Sequence, residues 1–498
     1  MLRTEEIKSL IASDRATNRK KYAEVGQRYY EADHDIKNYK IFYFDGEGNV
    51  REDKFKSNIK IPHAFFTELV DQEVQYILSG KEGFVKSDDP NLQAELDDYF
   101  NENEDFMAEL YDILTGAIAK GFDYCYAYKD AENKVHFEWA DSLGVVEVSA
   151  KNASDGEEHV IYWYVDTMGE NNENVLFVQV WDNQSVYFYR QTNDDTELVL
   201  DDKEPMNPRP HALYKKHGDE KTYTKDSEGY IPFFRLDNCR KRISGLQPIK
   251  ALIDDYDIIA CGLSNNILDT NEAYYVVRGF QGDNLDEVIT NLKAKKHIGV
   301  DEDGGVDIQT VDIPVEARKA KLELDEKNIY RFGMGLNTAG LKDTSATTNI
   351  AIKTAYALLD LKCQKLKIRL KQFMRKLLKI VLQEINDRNG TDYQQKDVYF
   401  FLEPEITTNA QENAQIELYE AQRRQADINT LLSLANHLDN ETLMQQICDV
   451  LDIDYNEIKG KLPTPEETEN PYKAQTALDT VEPEETKPEE ADTGDVVE

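Results

Sequence analysis

Residues 350–382 read IAIKTAYALLDLKCQKLKIRLKQFMRKLLKIVL. Within them Leu359, Cys363, Leu366, Leu370, Phe373, Leu377 and Ile380 recur at alternating spacings of four and three. That pattern is the apolar seam of a long helix with a heptad stripe. The spacing predicts a helix over 350–387, stopped at Asn389-Gly390, where glycine suits a C-terminal cap. At 1.5 Å per residue it runs about 57 Å. The same stretch carries nine Lys/Arg and a lone anion, Asp360. Lys362, Arg369 and Lys376 stand seven apart and form a basic stripe beside the seam.

This charge is out of character with the rest of the chain. The 498 residues hold 58 Lys+Arg against 96 Asp+Glu, a formal net charge of −38. A general nucleic-acid binder is basic overall, so that class is excluded. A solvated helix mixes signs at i,i+4, and this helix does not. Its cations are expected to meet acidic neighbouring subunits, phosphates, or both.

Just before the helix lies a Gly- and Thr-rich loop, 333–349, reading GMGLNTAGLKDTSATTN. Gly335 and Gly340 have P-loop spacing, but Leu341 intervenes before Lys342, and Asp343 precedes Thr344. The phosphate cradle is therefore broken, and an acid stands where phosphate would lie. GxGxxG is absent too. The loop suits a moving contact, with Thr347, Thr348 or Asn349 capping the helix that follows.

Working outward, the sequence predicts an α+β chain. Helices are expected over 4–32, 64–79 and about 90–119, the last broken near Asn101–Glu104. Residues 122–236 are rich in Tyr, Val, Phe and Trp between turn residues and read as strands and hairpins. A helix over 244–273 with Pro248 in its first turn comes next. After it come a strand at 275–278, a short helix at 285–295 and a hairpin of 297–300 with 306–309, turning at Asp301–Gly305. A charged helix at 316–332 leads into the loop. Beyond the basic helix are a strand at 398–402 and helices at about 409–438 and 442–450. From Pro463 onward there are 12 acids, two Lys and five Pro. Such a segment buries too little to order itself and reads as a disordered acidic tail.

Catalytic and metal chemistry find no support. The five cysteines, Cys125, Cys239, Cys261, Cys363 and Cys448, form no CxxC, and are read as reduced thiols rather than a zinc site. There is no GxSxG and no HExxH. Asp301–Asp307 lacks EF-hand spacing. His211 and His217 are the closest histidine pair and are expected at the surface. No apolar leader and no run of about 18 apolar residues occurs, so neither a signal peptide nor a transmembrane helix is expected. The reading is of no enzyme, no cofactor and no metal.

Four segments together resemble the portal proteins of tailed bacteriophages, the group like the Bacillus phage SPP1 portal. The first is Arg28-Tyr29-Tyr30-Glu31-Ala32-Asp33-His34-Asp35-Ile36, with Ala32 where that family usually has Gly. The second runs from Ile61-Pro62-His63-Ala64-Phe65 through Leu69-Val70-Asp71 to Tyr76-Ile77-Leu78-Ser79-Gly80. The third is Gly229-Tyr230-Ile231-Pro232-Phe233. The fourth, the most specific, joins Leu252-Ile253-Asp254-Asp255-Tyr256-Asp257, Leu263-Ser264-Asn265-Asn266 and Val277-Arg278-Gly279-Phe280-Gln281-Gly282. The resemblance covers about residues 1–460.

The resemblance implies a phage portal fold with long stem and wing helices, a β-rich wing region, a small α/β clip and a helical crown. It implies a wing over 1–243, stem helices at 244–273 and 315–332, and a clip at 274–314. A tunnel loop at 333–349, the basic helix with its return to the wing over 350–408, a crown at 409–462 and the tail at 463–498 complete the chain. The function implied is a non-enzymatic ring of about 12 subunits at one capsid vertex of the virion, assembled in the host cytoplasm. Double-stranded DNA is packaged and ejected through such a ring. Implied partners are the terminase large subunit, head-completion or adaptor proteins, and major capsid and scaffolding proteins, with no membrane. The channel-lining set would be Leu336, Asn337, Thr338, Leu341, Lys342, Thr344, Ser345, Thr347, Thr348 and Asn349. Arg278, Lys293, Lys295, Lys296, Lys362, Arg369 and Lys376 are candidate contacts to DNA or to a neighbouring subunit. The competing readings are a capsid or scaffolding-type protein without DNA contact, and a nucleotide-dependent packaging enzyme.

Overall fold

The computed structural model describes residues 2–45, 47–54, 56–80, 83–132, 134–149, 157–168, 173–192, 197–216, 219–226, 230–269, 274–280, 300–309, 314–337, 349–403, 410–435, 437–451 and 455. The chain divides into two units, Met1–Thr407 and Thr408–Glu498. The expected helix at 285–295, the loop after Asn337 and the acidic tail lie outside the described residues.

The expected helix over 4–32 is two helices, α1 (Thr4–Arg15) and α2 (Asn18–Tyr30). Thr17 makes the break: its hydroxyl donates to the Asp14 carbonyl at 2.6 Å and accepts the Lys20 N–H. A threonine that caps a new helix start competes with continuation of the old one. α3 (Phe65–Leu78) comes next. The 90–119 segment breaks where its asparagines suggest. It gives α4 (Pro90–Leu96), a π-turn over 97–101 and α5 (Glu104–Lys120), with Asn103 accepting the Phe106 N–H at the new start. Leu110, Ile113, Leu114, Ala117 and Ile118 of α5 are buried against α2, α3 and the strands β4 (Phe122–Lys129) and β5 (Val135–Ala140).

Among the described residues, the β-rich region is two larger sheets and a separate antiparallel pair, Ala212–Lys216 with Asp219–Asp226. β4 lies between β5 and β14 (Phe233–Asp237). The other sheet is an antiparallel meander of β6 (Val145–Ser149), β7 (Glu157–Met168), β8 (Glu173–Trp181) and β9 (Ser185–Thr192), with short strands at 199–200 and 209–210 on its far edge. Adjacent residues of β7 point to opposite faces. Val160 joins the cluster of Trp181, Phe122 and Tyr124, whereas Ile161 joins Ile7 of α1. Both faces are covered, so simple alternation of apolar and polar residues is lost. This is why the register could not be read from the sequence.

α6 (Lys250–Asp269) packs on α7 (Val315–Gly333). α6 starts later than expected, because Pro248 falls in the turn before it and not inside its first turn. Between them, β15 (Tyr274–Phe280) pairs antiparallel with β16 (Val300–Gln309). This corrects the expected hairpin at 297–309. Residues 300–309 run as one strand that pairs at Val300 with Phe280 and at Gly305 with Arg278; the register shifts between these pairs, so Asp301–Gly304 form an irregular bulge and not a hairpin turn. Pairing with β15 on either side holds the strand direction, and the turn-prone residues next to Gly305 are taken up in the bulge.

A segment at 57–63 fastens α6 to the N-terminal half. The N–H groups of Ser57, Ile59, Ile61 and His63 donate to Asp269 Oδ1 (3.1 Å), Asn265 Oδ1 (2.7 Å), Cys261 Sγ (3.2 Å) and Asp257 Oδ1 (2.9 Å). Alternate residues of an extended chain advance about 6.6 Å, and fourth residues of a helix about 6.0 Å. The near match lets one strap run along one helix stripe for four rungs. At its end, buried Asp257 also takes the Nδ1 groups of His34 and His63, each at 2.7 Å. Tyr29 stacks on His34 with ring centroids 4.4 Å apart, and its hydroxyl donates to Asp254. Three of the four resemblance-bearing segments thus meet in one polar network.

α2 ends there in a Schellman turn: the Asp33 N–H donates to the Arg28 carbonyl and the Ala32 N–H to that of Tyr29. Ala32 sits at φ 54°, the left-handed position where glycine is normal. The second unit is a helix pair, α9 (Ala410–Ser433) and α10 (Asn440–Leu451), with Leu443 and Cys448 buried. No helix among the described residues is long and apolar enough to cross a membrane.

Two outcomes test this arrangement. Ala32→Gly relieves the left-handed strain and is expected to stabilise by about 0.5–1 kcal/mol, seen as a raised thermal midpoint. Burial acts to raise the Asp257 carboxyl, and the hydrogen bonds from His34 and His63 outweigh it, holding it below the usual carboxylate range. Such a group contributes stability above its unfolded value of about 4, and that contribution is lost as pH falls through its lower folded value. Asp257→Asn is expected to cost about 1–3 kcal/mol at neutral pH. The gap between variant and wild-type midpoints should narrow below about pH 4.

Candidate functional site

The basic helix is α8, Asn349–Asn389, closed by Gly390 in the left-handed region at φ 67°. All seven seam residues from Leu359 to Ile380 are buried, and the apolar face widens through Met374, Leu378, Val381 and Ile385. The seam packs on α3, β14 and β5 of its own chain. Its heptad spacing therefore serves an internal core and not a partner helix. Two adjoining stripes of apolar residues fit a broad surface better than a coiled-coil groove.

The cations sort into two groups. Lys362 turns inward and pairs with buried Glu73 of α3 at 2.8 Å. Unlike the other cations of the stripe, it already has a carboxylate partner within its own chain. Lys367 lies over the Tyr76 ring, 5.4 Å from its centroid, and burial pushes its ammonium pKa down. Arg369 is half-buried and Lys376 exposed; neither has a carboxylate within 4.0 Å among the described residues. Lys365, Lys371, Arg375 and Lys379 are exposed in the same condition. The seven-residue stripe singled out Arg369 and Lys376 but missed these four. A helical wheel would have found them, since they fall opposite the seam. Leu361, Lys365, Ile368, Arg375 and Lys379, spaced 4, 3, 7 and 4 apart, share that outer face, and Leu361 and Ile368 are exposed beside the charges.

The loop is anchored where α7 ends. Met334 takes the left-handed conformation at φ 55°, and its N–H and that of Gly335 return to the Arg331 and Tyr330 carbonyls. Gln72 of α3 then clamps Leu336 as a strand partner would. Its Oε1 accepts the Leu336 N–H at 2.9 Å, and its Nε2 donates to the Leu336 carbonyl at 3.0 Å. Leu336 is only 8% exposed, so it is an anchor and does not line an opening, contrary to expectation. Gly335 is required by close approach: a Cβ there would fall 2.0 Å from Leu69 Cδ2. Asn337 Nδ2 donates to Glu326 of α7 at 3.3 Å. Thr338, Leu341, Lys342, Thr344, Ser345, Thr347 and Thr348 lie outside the described residues, as do Lys293, Lys295 and Lys296. Asn349 begins α8. Arg278 is exposed on β15. The five cysteines are unpaired thiols. No group of three or more metal-ligating residues occurs among the described residues.

Comparison with known proteins places this geometry. The profile of the family described as "Phage portal protein, SPP1 Gp6-like" matches residues 11–455. The portal protein of Bacillus phage SPP1 is 27% identical over 341 residues, covering 68% of this chain and 65% of that protein. The portal protein of Clostridium phage phiCD119 is 23% identical over 395 residues, covering 76% of this chain and 82% of the relative. Among solved structures, a chain in the neck of a native GTA particle computed with C12 symmetry aligns with TM-score 0.37 and 11% identity, over 77% of this chain and 89% of that one. With the family profile matched across residues 11–455, the chain belongs to the SPP1 Gp6-like family of phage portal proteins.

Proposed function

We propose that this chain is the subunit of a portal ring at one capsid vertex of the virion, a conduit and docking platform and not a catalyst. The observation that carries this reading is the family match over residues 11–455. In the ring, α6 and α7 serve as the stem, the β15–β16 ribbon and the residues between its strands as the clip, and α9 with α10 as the crown. Residues 338–348 serve as the tunnel loop beside double-stranded DNA. α8 is the strut behind that loop, fixed to the wing by its seam. The terminase large subunit docks at the clip during packaging, and head-completion or adaptor proteins take its place later. Capsid and scaffolding proteins surround the wing.

The charge distribution supports the conduit. Each Lys/Arg–phosphate contact releases counterions and adds affinity, so a channel through which DNA slides is best lined by few cations. A subunit of net charge −38 meets that need. A ring of such subunits must also offset repulsion between its members. The outer face of α8 is suited to that, because its uncompensated cations stand beside exposed Leu361 and Ile368. Arg369, Arg375 and Lys379 accordingly face carboxylates of the next subunit.

Electron micrographs of the purified chain should show rings with one dominant symmetry; a monomer in light scattering with no rings under any condition overturns the reading. Replacing Arg369, Arg375 and Lys379 together by Glu should leave the monomer's circular dichroism unchanged while raising the subunit concentration needed for rings at least tenfold. If rings form normally and only DNA uptake slows, those cations face DNA instead. Deleting 344–348 should leave ring assembly intact and lower the DNA packaged per particle. Normal packaging by that variant would favour a scaffold without DNA contact.

A further inference from the structure

The ribbon of β1 (Phe42–Phe44) and β2 (Val50–Glu52) stands exposed among the described residues. All six strand residues are exposed. The register sets Phe44 opposite Val50 and Phe42 opposite Glu52, and alternation puts Phe42, Phe44, Val50 and Glu52 on one face, where Lys40 pairs with Glu52 at 3.1 Å. Their exposures are 57%, 75% and 61%. A two-stranded ribbon is marginal in water by itself, and an apolar face held out to solvent marks a contact surface.

The ribbon is nevertheless firmly built. Asp45 accepts the N–H groups of Glu47 and Asn49 and the Arg51 Nε–H, and Gly48 supplies φ 83° at the turn. Its base is tied down as well. Lys60 Nζ donates to the Lys37 carbonyl, and Asn58 Nδ2 to that of Tyr39. The strap then fixes Ser57 to Asp269, the last residue of α6. The ribbon is therefore joined to the rest of its chain beside the C-terminal end of α6.

Charge selects the occupant. Residues 37–60 hold six Lys/Arg against four Asp/Glu, a positive segment in a chain of −38. The complementary surface that every assembly of this protein contains is the acidic surface of another copy. Two such ribbons repel each other, so the contact joins different patches on the two copies. A head-to-tail contact of that kind closes rings, whereas a self-complementary one stops at a dimer.

We propose that the 42–52 ribbon is an arm that docks its Phe42–Phe44–Val50 face on the acidic surface of the adjacent copy. The arm rests on the ring reading above. Its test places the photo-cross-linker benzoylphenylalanine at position 44 of the full chain, in assembled rings. Irradiation should give covalently joined chain pairs whose second end maps to an acid-rich segment outside 37–60. In parallel, Phe42→Asp with Phe44→Asp should leave the monomer's melting curve unchanged, since both side chains are exposed. The same variant should need at least tenfold more subunit to form rings. Cross-links confined to one chain, arm-to-arm cross-links, or cross-links formed only with capsid or head-completion proteins overturn the arm. So does wild-type ring stability in the double variant. Wild-type rings with any of these results remove the arm and leave the portal reading standing. Absence of wild-type rings removes both.

Discussion

A backbone strap on a helix holds this molecule together. Four N–H groups, from Ser57 to His63, find acceptors four residues apart along α6. Because extended and helical advances nearly coincide, no rung strains the next. The ladder ends at Asp257, whose buried carboxylate gathers buried His34 and partly exposed His63. An unpaired carboxylate there would be costly, and three hydrogen bonds offset the burial. This arrangement sets where α6 leaves the N-terminal half. Through the packing of α6 on α7, it also bears on where the Gly335–Asn337 anchor lies.

A second constraint is electrostatic. A chain with 96 acids and a net charge of −38 repels copies of itself, and the proposed ring has to offset that repulsion. The cations of α8 are divided between two tasks. Lys362 pairs with Glu73 inside the fold, while Lys365, Lys371, Arg375 and Lys379 on the outer face have no carboxylate within 4.0 Å among the described residues. The ribbon at 42–52 repeats the combination of positive charge and exposed apolar side chains. Exposed charge of this kind adds little to the stability of one subunit, and its role lies in partner choice and orientation.

Sequence periodicity made much of this legible. The seam of α8, the limits of α7 and the break near Asn103 follow from local spacing and caps, which act within a few residues. Legibility failed where distant residues decided. Asp301–Gly305 has turn residues, but pairing of its two flanks with Tyr274–Phe280 makes it a bulge within a strand and not a hairpin turn. Leu336 reads as loop, but Gln72 gives it a strand-like partner. The strap has no sequence signal, because its donors are backbone groups and its acceptors lie about two hundred positions away.

The sequence by itself determined the helix pattern, the acidity, the isolated basic stripe and the segments shared with portal proteins, since each is a property of neighbouring residues. Tertiary structure alone decided which cations are spent inside the fold and which stay outside. It also brought Tyr29, His34, His63, Asp254 and Asp257, which lie in separate segments, into one network. Burial and hydrogen-bond geometry depend on how distant segments approach, and no local pattern encodes that approach.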